Sequence, residues 1–169
     1  MKYFWSVLYT AAILAANATA TWFLPIPLPI KISIGTLLFG AVFTLRDKVH
    51  TYGYRWAWKT VVFAALANLG FCVAAFIPWR VVVASFLAIL ISEGIDTEVF
   101  QRSRLSWLGK VYASNLISVP VDSILFVAIA FAGVLPTVTA IQLIFGQILV
   151  KYAIASGVGL SLASTINSS

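Results

Sequence analysis

Apolar residues fill this chain in long blocks, with few polar positions between them. A membrane-spanning helix needs roughly 20 mostly apolar residues. Blocks of that kind fall at about 4–24, 31–46, 57–77, 80–101, 112–133 and 137–160. The first ends at Pro25-Ile26-Pro27-Leu28-Pro29. Prolines at alternate positions remove amide donors and cannot continue a helix, so an extended turn is expected there. The second block is short and carries Gly35 and Gly40, the pattern of a tilted, broken or interior helix. Pro78 marks a tight turn between blocks three and four, and Gly133 to Pro136 separates five from six. The two longest polar stretches, near Arg46–Lys59 and Gln101–Lys110, read as short loops. The pattern predicts an all-α polytopic membrane protein, with six transmembrane helices in a single domain over residues 1–169.

Composition agrees. The chain is 62% hydrophobic and 9% charged, with mean hydropathy +1.01, whereas a soluble domain carries about 25% charged residues. Its length allows one compact domain. The net charge of +6 is spread over loops and builds no basic face, so the bilayer and not nucleic acid is the expected surrounding. Lys2, Arg46, Lys48, Arg55, Lys59, Arg102, Arg104 and Lys110 fall on one side of the six-span layout, against Lys31 and Arg80 on the other. The excess of basic residues on the cytoplasmic side places both termini in the cytoplasm. Trp22, Trp56, Trp58, Trp79 and Trp107 sit near span ends, as interfacial aromatics do. Lys2 runs straight into the first apolar block without a small-residue cleavage site, so that block reads as a retained helix.

Cys72 and His50 are the only cysteine and histidine, so neither a disulfide nor a thiolate or multi-histidine metal site is expected, and no cofactor. The chain lacks His-Glu-x-x-His, Gly-x-Ser-x-Gly and a plausible cysteine–histidine pair, so it does not read as an enzyme.

The charges within the apolar blocks carry the chemistry. The chain has five carboxylates. Asp47, Glu93, Asp96 and Asp122 lie inside or at the end of apolar blocks, leaving Glu98 as a bystander. Lys151 interrupts the last block. A charge in hydrocarbon costs roughly 3 kcal/mol on insertion scales, so a membrane chain that keeps several generally uses them for a solute, an ion or a water-filled cavity. Ser92-x-x-x-Asp96-Thr97-x-x-Phe100 and Ser118-x-x-x-Asp122-Ser123-x-x-Phe126 share one pattern. Residues four apart lie on one helical face, so each span presents a hydroxyl, a carboxylate and an aromatic in one stripe. At about 1.5 Å per residue, Glu93, Asp96, Asp122 and Lys151 all fall between the midplane and the inner third, consistent with one shared cavity. Glu93 and Asp96 are three apart and repel, so one of them can hold a proton, as a proton-coupled carrier requires. Simple pairing of these acids with Lys151 or Arg46 is the structural alternative. Asn17, Asn68, Asn115, Gln142 and Gln147 add amides that often bridge helices, and Gln147 shares a face with Lys151.

The run Gly35-Thr-Leu-Leu-Phe-Gly-Ala-Val-Phe-Thr-Leu-Arg46-Asp47 resembles the queuosine-precursor transporter family, also called the vitamin uptake transporter (VUT) family. Asn17, Tyr52-Gly53, Ser92 through Phe100, Asp122 through Phe126, Ala130-Phe131-Ala132-Gly133, Gln147 and Lys151 match it in order. The loops and termini are shorter than the family's. The resemblance implies a six-helix importer in the plasma (inner) membrane for a 7-deazapurine precursor of queuosine, such as 7-cyano-7-deazaguanine. A secondary carrier is the first reading. The second is a substrate-binding component of an energy-coupling-factor importer, which would need an ATPase module on other chains. Homo-oligomerisation is left open.

Such a base offers adjacent N–H donors that a carboxylate can accept as charge-assisted bonds. Glu93, Asp96 and Asp122 are candidate acceptors, with Asp96 and Asp122 preferred. Gln147, Asn17 and Lys151 are candidate donors to a ring carbonyl or nitrile. Phe39, Phe43, Phe100 and Phe126 offer stacking faces. Arg46-Asp47 reads as a gate or a structural ion pair.

Overall fold

The computed structural model describes residues 1–25 and 31–167. Its elements are α1 (Lys2–Ala18), α2 (Ile34–His50), α3 (Tyr54–Ala74), α4 (Trp79–Ala88), a π-helical turn (Ile89–Glu93), α5 (Gly94–Arg102), α6 (Trp107–Phe131) and α7 (Thr137–Asn167). The π turn joins α4 and α5 into one run, so the described residues form six rods. No strand occurs among them beyond one isolated antiparallel bridge, Phe23 to Ser33.

Several boundaries differ from the expected ones. The first helix stops at Ala18, and Leu24 N then bonds Ile32 O at 2.9 Å while Ile34 N bonds Trp22 O at 2.8 Å. Residues 26–29 of the expected proline turn lie outside the described residues. The second helix is unbroken and runs on to His50, started by Ser33, whose hydroxyl accepts from Thr36 N at 3.1 Å. Arg46 and Asp47 are therefore buried helix residues and not members of a loop. Of the other cations expected on that side, Lys2, Lys48, Arg55, Lys59, Arg102 and Lys110 also lie within helices, and Arg104 lies between α5 and α6.

Three helices are long and apolar enough to cross a membrane: Tyr54–Ala74, Trp107–Phe131, and α7 over Thr137–Gly157. The other rods fall short for identifiable reasons. Helices α1 and α2 have 17 residues each, about 26 Å of helix, at the lower limit for a span. The α4–α5 run is divided by the π turn and carries Glu93, Asp96, Glu98 and Arg102 near its end.

The rods close into a ring. Helix α1 packs on α2, α2 on α7, α7 on α6, α6 on α4 and α5, α4 on α3, and α3 back on α1. The ring is inverted relative to a soluble protein. Leu66, Leu116 and Phe145 are 55%, 66% and 59% exposed on the outside, while Arg46, Glu93 and Asp96 are at most 1% exposed within. Hydrocarbon around an apolar exterior removes the drive to bury it, whereas charges must find partners inside.

Two local features fix the packing. Pro120 interrupts α6, and its missing N–H leaves the Leu116 carbonyl without its helical donor. The Tyr152 hydroxyl of α7 donates to that carbonyl at 2.9 Å, repairing the gap with a neighbouring helix. At Gly35 a Cβ would fall 2.3 Å from the Ala16 carbonyl oxygen, and at Gly146 2.4 Å from that of Lys31. Only glycine permits these backbone approaches, which seat α1 on α2 and the start of the α2 segment on α7.

Candidate functional site

Inside the ring the polar side chains form two groups, each anchored on one copy of the Ser-x-x-x-Asp-(Ser/Thr)-x-x-Phe pattern. The first surrounds a cavity near the α1–α2 connection. Asn17, Ser33, Thr36, Phe39, Ser85, Asp122, Phe126, Gln147 and Lys151 line it, with Ala16, Ala20, Gly35, Ala88 and Ile89. Lys151 Nζ donates to Asp122 Oδ2, to Ser123 Oγ at 3.2 Å and to Gln147 Oε1 at 3.3 Å. Three acceptors thus match the three protons of the ammonium. The same Nζ lies 5.0 Å from the Phe39 ring centroid, a cation–π contact. Asn17 Nδ2 donates to Ile13 O at 3.1 Å, and its Oδ1 accepts from Ser85 Oγ. The cavity volume is about 30 Å³, room for one or two waters.

The second group is a charge network centred on Arg46. Its guanidinium meets Glu93 Oε1 at 3.2 Å, Asp96 Oδ1 at 2.9 Å and Asp47 Oδ1 at 3.3 Å, and donates to Asn115 Oδ1 at 2.7 Å. It lies over the Phe43 ring at 4.7 Å. The Tyr9 hydroxyl donates to Glu93 Oε2 at 2.8 Å. His50 lies against Phe100, with ring centroids 4.7 Å apart. The π turn ends at Glu93, where Ser92 and Glu93 leave it facing different partners. Such turns often occur at functional positions.

The two groups are cross-linked. Ser92, of the first pattern, donates to Asp122 Oδ1 of the second at 3.2 Å. Ser118, of the second, donates to Asp96 Oδ1 of the first at 3.1 Å. The α4–α5 run and α6 thus exchange equivalent bonds, as two antiparallel copies related by a local two-fold would. Each aspartate also has a cation on a neighbouring helix: Arg46 of α2 for Asp96, and Lys151 of α7 for Asp122.

Measured against the sequence expectations, Asn17, Phe39, Asp122, Phe126, Gln147 and Lys151 share the cavity. Phe43, Arg46, Asp47, Glu93, Asp96 and Phe100 belong to the network. The single shared cavity expected from depth is therefore corrected to two adjoining groups. Helical rise gives depth but not direction around the helix axis, and Glu93 and Asp96 turn toward α2 while Asp122 turns toward α7. Glu98 stands apart, held by Tyr54 Oη at 2.5 Å and Arg102 at 2.7 Å. Tyr9, His50, Ser85 and Asn115 were not singled out as site residues. No shared spacing marks them, since they lie on four different helices and none repeats a pattern seen elsewhere in the chain. The buried amide of Asn115 was the one partial signal.

A family model described as "Putative vitamin uptake transporter" matches residues 73–160, just over half of the chain. The chain belongs to this family. The matched segment runs from the end of α3 into α7 and contains both Ser/Asp patterns, Gln147 and Lys151. No curated protein and no solved structure matches the chain. As a vitamin uptake transporter it is a membrane protein that moves a small solute, and it is not an enzyme. The buried charges fit that role, because a transport path is where a membrane protein retains intramembrane ionisable groups.

Proposed function

We propose that this chain imports a 7-deazapurine precursor of queuosine, such as 7-cyano-7-deazaguanine, across the plasma membrane as a secondary carrier. Six spans with both termini cytoplasmic would carry it, formed by α1, α2, α3, the α4–α5 run, α6 and α7. The observation behind this reading is the pairing of chemistry with shape in one cavity. Phe39 and Phe126 supply flat apolar faces, Asp122 an acceptor for adjacent ring N–H groups, and Gln147 and Asn17 amide donors for a carbonyl or nitrile. An apolar vitamin would offer these groups nothing once the Lys151 contacts loosen, at a cost of about 1–3 kcal/mol for each group left unpartnered. A hydrogen-bonding base satisfies them.

The cavity's volume of about 30 Å³ admits waters and not a bicyclic base. Binding therefore requires α7 to move away from α6, which loosens the Lys151 contacts with Asp122 and Ser123. Substrate can then take over bonds that Lys151 makes in the closed state, so closure and release of the base compete for the same acceptors. The Ser92–Asp122 and Ser118–Asp96 bonds would relay this movement to the Arg46 network, where a proton-coupled cycle would load and unload its proton.

The test uses bacteria lacking both precursor synthesis and their own transporter. They express this chain, receive nanomolar 7-cyano-7-deazaguanine, and are assayed for queuosine in transfer RNA. The expected result is queuosine with the intact chain and none with Asp122→Asn or Gln147→Leu at equal membrane levels. Queuosine persisting in both variants would remove the cavity from the pathway. No queuosine with a well-inserted intact chain would overturn the substrate, or the absence of an ATPase partner, and a pull-down for that partner decides which.

A further inference from the structure

His50 is held in one tautomer. Thr97 Oγ1 donates its only proton to the Glu93 carbonyl at 2.8 Å. The contact of 3.1 Å between His50 Nε2 and Thr97 Oγ1 must then be donated by the imidazole. In the neutral ring the proton is therefore on Nε2, and Nδ1 carries a lone pair. That lone pair faces Asp96 Oδ2 at 3.6 Å. Both atoms are buried, and neither has a hydrogen-bond partner. Two acceptors facing one another across a gap repel unless something positive lies between them.

A carboxylate oxygen of Asp47 completes the group: Asp47, His50 and Asp96 each offer a ligand atom, all within 4.8 Å of one another. With about 2.0–2.1 Å from metal to nitrogen and about 2.0–2.2 Å to oxygen, the 3.6 Å separation corresponds to an angle of about 115–130° at the metal, somewhat wider than the ideal tetrahedral angle. Charge argues the same way. Among the described residues, Arg46 is the one lysine or arginine paired with Asp47, Glu93 and Asp96. With all three carboxylates ionised, one guanidinium would leave two negative charges in a buried cluster. Two protons or one divalent cation would bring that sum to zero. Arg46 keeps its hold on the other oxygen of Asp96, Oδ1, together with Ser118, so the ligand would be oriented by a second layer of bonds.

We propose that Asp47, His50 Nδ1 and Asp96 Oδ2 bind one divalent metal cation of the class that accepts imidazole and carboxylate together, with Zn²⁺ and Co²⁺ as representatives. The expectation of no metal was drawn from missing thiolate and multi-histidine patterns, which do not report on a site of two carboxylates and one imidazole. The proposal is independent of which solute the cavity takes.

The test uses the full chain purified in detergent with a histidine-free affinity tag, stripped with chelator and reloaded. His50 is the only histidine, so labelling histidine with nitrogen-15 gives one pair of ring signals. Zn²⁺ is expected to move the Nδ1 signal away from its free lone-pair position while Nε2 stays protonated. Metal analysis is expected to find one equivalent of Zn²⁺ or Co²⁺ per chain, with binding weakened at least about tenfold in Asp47→Asn and His50→Gln. An unmoved Nδ1 signal under saturating Zn²⁺ overturns the proposal and leaves the two negative charges to protons. Stoichiometric binding unchanged in both variants also overturns it, by placing the metal elsewhere. The nitrogen signal of the unsubstituted chain decides the matter even if a variant fails to fold.

Discussion

Asp122→Asn removes the anion that Lys151 contacts inside the ring, and leaves an ammonium at 2% exposure with neutral acceptors alone: Ser123, Gln147 and the new amide oxygen. Removing one partner from a buried ion pair costs about 3–5 kcal/mol, because the remaining charge is desolvated and unpaired. For a protein of this size 1 kcal/mol corresponds to about 2–4 °C in Tm, so the loss should be about 6–20 °C. Replacing both partners with neutral groups of similar volume, as in Asp122→Asn with Lys151→Met, removes the charge altogether and is often close to neutral. The double variant should recover more than half of the single variant's loss. Six tryptophans supply the signal for thermal unfolding of the detergent-solubilised protein. The cycle separates structure from transport, since the double variant should be stable and inactive in the queuosine assay. A single variant within about 1 kcal/mol of the original would show that water or other partners already solvate Lys151. A double variant that loses the sum of the two singles would show no coupling between them. Either result refutes the ion pair as drawn.

Other expectations follow from the same geometry. Tyr152→Phe leaves the Leu116 carbonyl unpartnered beside Pro120 and should lower stability by about 1 kcal/mol. In a Pro120→Ala background, where a backbone N–H returns, that loss should vanish, and an equal loss in both backgrounds would refute the repair. Tyr9→Phe removes the donor to Glu93 Oε2 and should cost about 1.5–3 kcal/mol in the same unfolding assay; no change would mean that Arg46 alone satisfies Glu93. Gly35→Ala would force a Cβ to within 2.3 Å of the Ala16 carbonyl oxygen, so α1 and α2 must separate. It should lower membrane yield and Tm, whereas Gly70→Ala, which meets nothing within 4 Å, should be tolerated.

The helical rods were legible because lipid demands long apolar runs, and proline, glycine and clustered charges mark where those runs end. The same rule misled at Arg46-Asp47. Charges usually end a span, so the second one was drawn to stop there, yet α2 continues because Glu93, Asp96 and Asn115 partner the guanidinium from other helices. Charges stand out in an apolar chain, so the charged residues of both groups are legible in the sequence, whereas Tyr9, His50 and Ser85 are not. The division into a cavity and a network is not legible either, because spacing along a helix fixes height and relative face but not which neighbour that face meets. The paired Ser-x-x-x-Asp pattern is the instructive case. Read as two separate stripes, it suggests two equivalent half-sites. Folded, each serine reaches the other copy's aspartate, so neither stripe is complete alone. Ser92 ties the Lys151 pair to α4–α5, and Ser118 ties the Arg46 network to α6. Both bonds join the same two rods, so a displacement of α6 against the α4–α5 run would load them together. The repeat thus links the lining of the cavity to the most heavily charged part of the interior through two reciprocal hydrogen bonds.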